Sequence, residues 1–331
     1  HTLEPQYEYQ LPDGNITLTL PVEYISYRYP QNGIRTRKAM FSPMLEIDYK
    51  LGSMTNIDAS IGTIRNADTK AVPFTGAMRN NYRTLTLGTD SIPFSRTTKA
   101  DIRLSWLNTV SMLSWNIYAG WQQTKQDLYY SYFYAGDLTL ITPVWYDTSL
   151  SAAANIKKVW RNTRLTLKGS AMYSYNKALA AQNGKEDYIR YSAASAQIGA
   201  SWDKLNWMTA DLVCAGNITW KRHDVFSPTS NVLKNAYCSL RLDFMPTARL
   251  RIYADAAGTT CEITHGLYST DFFINAGARL EVMKMLSLTL SAVNLLNRKS
   301  YEISSYQGAN YRYLRIPLRG RTMMISLNFK F

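Results

Sequence analysis

The chain has 331 residues, 18% of them charged and 13% aromatic, with 24 Tyr and 8 Trp, which is too aromatic and too weakly charged for a disordered polymer. A mean hydropathy of −0.25 argues against a bundle of membrane-spanning helices but suits strands in which only every second residue meets lipid. The formal charge of +13 raises a nucleic-acid partner, yet the basic residues form no run or helical stripe, so none is expected.

The chain opens "HTLEPQYEYQ", without the basic and apolar regions of a secretion signal, as if processed or part of a longer protein. A leading strand is predicted at 2–10. "NITLTLPVEY" then places Ile16, Leu18, Leu20, Val22 and Tyr24 on one face of a single strand, because strand side chains alternate with period two. "PMLEIDYKL" opposes Leu45, Ile47 and Tyr49 to Glu46, Asp48 and Lys50. "KADIRLSW" opposes Ala100, Ile102, Leu104 and Trp106 to Lys99, Asp101, Arg103 and Ser105. The uncharged stretch between Arg103 and Lys125 is long enough for a helix, but its second half alternates and carries Asn116 and Gln122. It is a strand, with a turn near "LNTV" before it.

"RLTLKGSAMYSY" sets Leu165, Leu167, Ala171, Tyr173 and Tyr175 against Arg164, Thr166, Lys168, Ser170 and Ser174. "CSLRLDF" and "RLRIYADA" put Arg241, Asp243, Arg249, Arg251 and Asp255 on the polar parity. The tail "MMISLNFKF" places Met323, Ile325, Leu327, Phe329 and Phe331 on the apolar one. Burying mid-strand charges in a sandwich core would cost several kcal/mol each unless paired, so those faces meet water. The opposite faces stay nearly uncharged over about eight to ten residues, the height of an outer-membrane hydrocarbon band.

Short connections at 11–15, 51–56, 203–206, 245–248 and 282–285 take turns with long loops near 66–96, 125–145, 176–187, 220–235, 259–270 and 298–317. Tight turns on one rim and long loops on the other are the habit of outer-membrane barrels. The fold class is therefore all-β, a transmembrane antiparallel up-and-down barrel, with about fourteen complete strands plus the leading one and no domain boundary within 1–331. Asp101, Arg103, Arg164, Lys168, Arg241, Asp243, Arg249, Arg251 and Asp255 are the candidate lumen-lining residues.

Cys214, Cys238 and Cys261 form no CxxC and an odd set, so Cys214 and Cys238 are expected to be small apolar strand residues. His223, Asp224, Glu262 and His265, on neighbouring outer loops, could assemble a metal site or catalytic pair, but their spacing matches no ligand pattern. No catalytic motif is present, and no enzyme activity, cofactor or metal is expected. The aromatic cluster Tyr129, Tyr130, Tyr132, Phe133, Tyr134, Trp145 and Tyr146 is either an interfacial girdle or a stacking platform for a ligand. Tyr301, Tyr306, Tyr311, Arg312 and Tyr313 form a second such set. Arg298, Lys299, Arg312, Arg315, Arg319 and Arg321 are a solvated basic rim or a meeting point for lipopolysaccharide phosphates.

"NLLNRKSY", Asn294 to Tyr301, resembles the segment that closes the penultimate strand of TonB-dependent outer-membrane receptors. The "RGRT" strand start and the aromatic ending resemble the same family's last strand, where Leu327, Phe329 and Phe331 would be the outer-membrane assembly signal. Upstream, "MLEIDYKLGSMTNIDASIGTIRN" and "SRTTKADIRLSWLN" resemble the Bacteroidota-type receptors at the level of pattern. The resemblance implies a barrel of about 22 strands closed by a plug, taking up a glycan, peptide, siderophore or similar nutrient with TonB energy. Neither a plug nor a TonB box is read in the chain and its strands are too few for the family's barrel, so the expectation is the C-terminal portion of such a barrel or one piece of a split receptor. Implied partners are outer-membrane lipid and lipopolysaccharide, the plug and remaining strands, the inner-membrane TonB system and a surface lipoprotein. A self-closing porin, a surface anchor for partner proteins and a barrel hydrolase are the alternatives.

Overall fold

The computed structural model describes the backbone of residues 2–28, 35–67, 77–81, 84–87, 94–126, 131–132, 134–135, 138–140, 146–182, 185–222, 231–264, 266–283, 285–307 and 310–329. Fifteen strands follow one another in chain order through one sheet, which a sixteenth, the two-residue Ser131–Tyr132, joins by parallel pairing with Ala181–Gln182. The fifteen are β1 (Gln6–Leu11), β2 (Gly14–Thr19), β3 (Met44–Lys50), β4 (Thr55–Ala67), β5 (Phe94–Asn108), β6 (Leu113–Gln126), β7 (Tyr146–Trp160) and β8 (Leu165–Gln182). There follow β9 (Lys185–Leu205), β10 (Met208–Arg222), β11 (Asn231–Thr247), β12 (Leu250–Thr264), β13 (Leu267–Met283), β14 (Leu286–Val293) and β15 (Thr322–Phe329). Each pairs antiparallel with the next, giving the up-and-down meander that the alternation predicts. Among the described strands β1 pairs within this sheet only with β2, and β15 only with β14, so the path is open at both ends.

Three neighbouring strands break at one level. Pro5, Pro21 and Pro43 each accept a bond from the next strand, at Leu20 N (2.9 Å), Ser42 N (3.0 Å) and Thr63 N (2.9 Å). None has an N–H to return, so the ladder stops there. Above the line Thr2–Leu3, Val22–Arg28 and Arg35–Phe41 form a separate sheet whose Ile25 and Met40 are buried. The single strand expected across "NITLTLPVEY" is thus two, divided at Leu20 and Pro21.

The two faces of the main sheet are opposite in chemistry. One row of cross-strand partners runs Leu45, Ile61, Ala100, Trp121, Leu150, Tyr175. The row of the other parity beside it begins Ser60, Asp101, Gly120, Ser151, Ser174. The apolar face is the exposed one: Ile102, Ile156, Ile198 and Ile325 are 50%, 52%, 67% and 73% accessible. Thr17, Asp187, Thr219, Lys221, Asp243, Asp271 and Ser287, all on the polar parity, are buried. The buried hydrophobic side chains described are only Ile25, Met40, Ala178, Ile189 and Leu233. A chain of this length with its aliphatics outside and its charges inside cannot fold on a water-excluding core; the apolar surface needs an apolar solvent.

The strands also outrun the band they cross. β9 has 21 residues and β8 has 18. At about 3.3 Å per residue, β9 is some 70 Å long, about twice what a tilted strand needs for a ~25 Å band. The loops expected at 176–187 and 259–270 are therefore corrected. β8 and β9 pair up to Gln182 and Lys185, and β12 and β13 turn tightly through Gly266, whose φ of 80° suits a residue without Cβ. The segment expected as a loop at 298–317 is likewise a hairpin, Ser300–Gln307 with Asn310–Pro317.

Candidate functional site: the polar face and its inward hairpin

The height of the apolar face is marked by charge. On β8, β9 and β10 the outward parity carries no Asp, Glu, Lys, Arg or His from Leu165 to Tyr175, Ser192 to Trp202 and Ala210 to Trp220. The next outward residues are Lys177, Arg190 and Arg222, one row across three strands. Lys177 Nζ lies 3.9 Å from the centre of the Tyr188 ring. Each uncharged run spans about the number of residues a tilted strand uses to cross hydrocarbon. Below, Trp106 stacks on Trp115 at 6.2 Å and Trp207 on Phe244 at 6.2 Å, beside the short turns. Tryptophans at this level form a girdle at the lower rim, which single-strand parity did not reveal because it emerges only across neighbours.

The polar face carries a compact charge network. Asp243, its side chain 5% exposed, accepts from Arg241 Nε at 3.0 Å and from Arg251 Nε and Nη2 at 2.8 Å. Arg241 also lies 3.7 Å from Asp255. Of the predicted lumen residues, Arg241, Asp243, Arg251 and Asp255 are brought together; Asp101 accepts from Ser60 at 2.8 Å several strands away. Arg103 and Lys168 stand on the same face, opposite Asp58 and Lys157. Arg164 and Arg249 sit in tight turns at the strand ends, Arg164 with φ 48°, and Arg249 lines a pocket with Arg251 and Arg279.

The last hairpin folds onto the polar face of β12 and β13. Ser304, buried, donates Oγ to the Glu262 carbonyl at 2.6 Å, and its N–H points to Cys261 Sγ at 3.3 Å. Tyr301 meets Phe273 edge-on at 6.1 Å. Glu262, expected as a possible metal or catalytic group, instead accepts Lys234 N and Gly266 N at 3.0 Å each. Its carboxylate thereby replaces strand pairing where β11 and β12 diverge. His223, Asp224 and His265 lie outside the described residues.

Tyr129, Tyr130, Phe133, Trp145 and Phe331 also lie outside them. Tyr132, Tyr134, Tyr146, Tyr306 and Tyr311 have described backbone but no described side chain. Arg312 is exposed. Leu327 and Phe329 are exposed on the outward face, opposite Leu288 and Leu286.

One expectation about cysteine is overturned. Cys214 and Cys238 face each other across β10 and β11, with Cα atoms 4.1 Å apart, and are joined as a disulfide; Cys261 is free. Sequence spacing carries no register, so the pairing was invisible there.

No protein-family model and no curated protein matches this sequence. Among solved structures, the unliganded ferric citrate transporter FecA is 12% identical with a TM-score of 0.47, covering 98% of this chain and 52% of FecA. The ferric yersiniabactin uptake receptor FyuA from Yersinia pestis is 11% identical at 0.46, covering 97% and 58%. The outer membrane channel DcaP of Acinetobacter baumannii is 10% identical at 0.39, covering 82% of each chain. The chain spans about half the length of the two receptors. At these scores the fold assignment rests on the chain's own strand order and faces.

Proposed function

We propose that the chain is barrel wall from a TonB-dependent outer-membrane transporter of the Bacteroidota type, one unit over 1–331. In this reading ligand is captured above the apolar band and passes a polar lumen when a plug, contributed from outside this chain, is remodelled. The observation that carries the outer-membrane part is the inversion of faces: Ile198 at 67% exposure and Ile325 at 73%, against Asp243 and Asp271 buried. The specific family rests on the "NLLNRKSY" resemblance. The free edges of β1 and β15 support the need for further strands, since unpaired backbone in lipid is prohibitive. They count against a porin closed by this chain alone.

Two experiments test this. Single cysteines at Ile198 and Gln197, adjacent on β9, are labelled in native membranes with a lipid-soluble and a water-soluble reagent. Ile198→Cys should take the first and Gln197→Cys the second; a protein released to the aqueous fraction without detergent ends the membrane reading. Uptake by intact cells should then stop on deleting TonB, whereas uptake that continues identifies a passive channel.

A further inference from the structure

The Cys214–Cys238 bond stands on the apolar face. Both residues share the outward parity of Leu212 and Leu240, in the cross-strand row that runs Gly169, Ile198, Cys214, Cys238, Gly258 and Phe272. Its level is inside the band. On β11, Cys238 lies six residues above Phe244, which stacks on Trp207 in the lower girdle, and four below Lys234, the nearest outward charge on that strand. At about 3.3 Å per residue those are roughly 20 Å and 13 Å along the strand. Ile198, Leu212 and Leu240 beside the bond are exposed on the same face, so hydrocarbon covers it.

Making or exchanging a disulfide needs a thiolate and a second sulfur partner in contact with it. Neither is met in the middle of a bilayer, where an isolated charge is prohibitively costly and polar thiol reagents do not enter. The lumen gives no access either, because the neighbours Val213, Ala215, Tyr237 and Ser239 take the opposite parity and the sheet lies between. The bond therefore has to exist before the strands are in place.

The choice of partners adds a second constraint. Cys238 and Cys261 are separated by 23 positions and Cys214 and Cys238 by 24, so loop closure hardly distinguishes the two pairings. Register does. Cys261 lies opposite Asn235 on the inward parity, where its Sγ meets Ser304 Oγ at 2.9 Å, and it cannot reach Cys238 across paired strands. Cys214 lies directly opposite Cys238 once β10 and β11 are in register.

We infer that β10 and β11 pair as a hairpin before the barrel enters the membrane, and that a water-soluble dithiol–disulfide oxidant closes Cys214–Cys238 on that hairpin. One cysteine thiolate attacks the oxidant's disulfide and displaces one of its sulfurs. The other cysteine then attacks the mixed disulfide at the first cysteine's sulfur and releases the oxidant's second sulfur. The oxidant leaves as a dithiol carrying the two protons, and the chain has lost two electrons. The inference rests on the outer-membrane part of the reading above and is independent of TonB.

The full chain is compared in two pools of its native cells: chains held in the periplasm by depleting the outer-membrane assembly machinery, and chains in membranes of undepleted cells. Each pool is unfolded without reductant, its free thiols are counted with a maleimide, and its linkage is mapped by peptide mass. In both pools Cys261 alone should react, with Cys214 linked to Cys238. Treating intact membranes with the charged reductant TCEP should leave that count at one, whereas the same dose after unfolding in urea should raise it to three. Three reactive thiols in the periplasmic pool, or a Cys238–Cys261 link there, overturns the inference. Opening of the bond by TCEP in intact membranes overturns it as well. Recovery of the chain in the aqueous fraction of undepleted cells removes the membrane reading itself, whatever the thiol count.

Discussion

The carboxamide of Asn294 donates Nδ2–H to the Arg319 carbonyl at 2.8 Å, tying the end of β14 to the approach of β15 across 25 positions. It also donates to the Arg298 carbonyl at 2.7 Å and accepts from Arg298 N at 2.9 Å, while its own N–H donates to Asn275 Oδ1 at 2.9 Å. Asn297 acts in parallel, accepting from Arg321 N at 3.1 Å, with Arg321 Nε returning to the Leu295 carbonyl at 3.0 Å. Both asparagines hold positive φ of 56°, a conformation Asn tolerates better than most residues. The "NLLN" sequence is thus a clamp that lets the chain leave β14, build the inward hairpin and return in register as β15.

Asn294→Ala is expected to destabilise the barrel by about 1–3 kcal/mol, from part-buried carbonyls left unpaired and a strained φ. Asn294→Gly relieves the backbone but not the bonds, and should recover about 1 kcal/mol of that loss. Urea titrations read by gel mobility of folded and unfolded forms supply the test; an Ala variant as stable as the parent would mean the clamp holds nothing.

Ile198 and Gln197 give the faces opposite costs for the same change. Arginine at outward Ile198, near the middle of its uncharged run, should cost about 2–4 kcal/mol, and at lumenal Gln197 less than about 1 kcal/mol. The measurement is folding into vesicles over a denaturant series. Equal losses at the two sites would remove the assignment of lipid and lumen.

How much of this was legible in the sequence follows from how local each signal is. The parity of Met323, Ile325, Leu327 and Phe329 is a two-residue period imposed by lipid, and β15 follows it. Above the band no lipid imposes a pattern, so "NKALAAQNGKED" looked like a loop although β8 and β9 continue through it. There Ala178 and Ile189 are buried on the inward parity instead. The single strand expected across "NITLTLPVEY" runs through Pro21, because the alignment of Pro5, Pro21 and Pro43 emerges only from the register of three strands.

Asp243→Ala leaves Arg241 and Arg251 on the polar face with two other carboxylates, Asp255 at 3.7 Å from Arg241 and Asp211 opposite Arg241 on β10. Both arginines are about half exposed, so water carries part of the loss and a cost of about 1–3 kcal/mol is expected. Removing one negative charge should also move the lumen toward anions. Reversal potentials in planar bilayers under a salt gradient, taken on a preparation that conducts, should shift accordingly; an unmoved potential would place Asp243 off the ion path.

The Cys214–Cys238 bond gives the most direct check on strand register. These residues can join only if β10 and β11 pair with Ala210 opposite Leu242 and Ile218 opposite Lys234, as they do. A slip of one residue would send the two side chains to opposite faces of the sheet. After unfolding without reductant, a maleimide should label Cys261 alone; after reduction it should label all three cysteines. Closing a loop over a separation of 24 restrains the unfolded chain, so replacing both partners by alanine should cost up to about 3 kcal/mol. Three labelled thiols in the unreduced protein would show that the bond does not form, and the register of β10 with β11 would then rest on the backbone ladder alone.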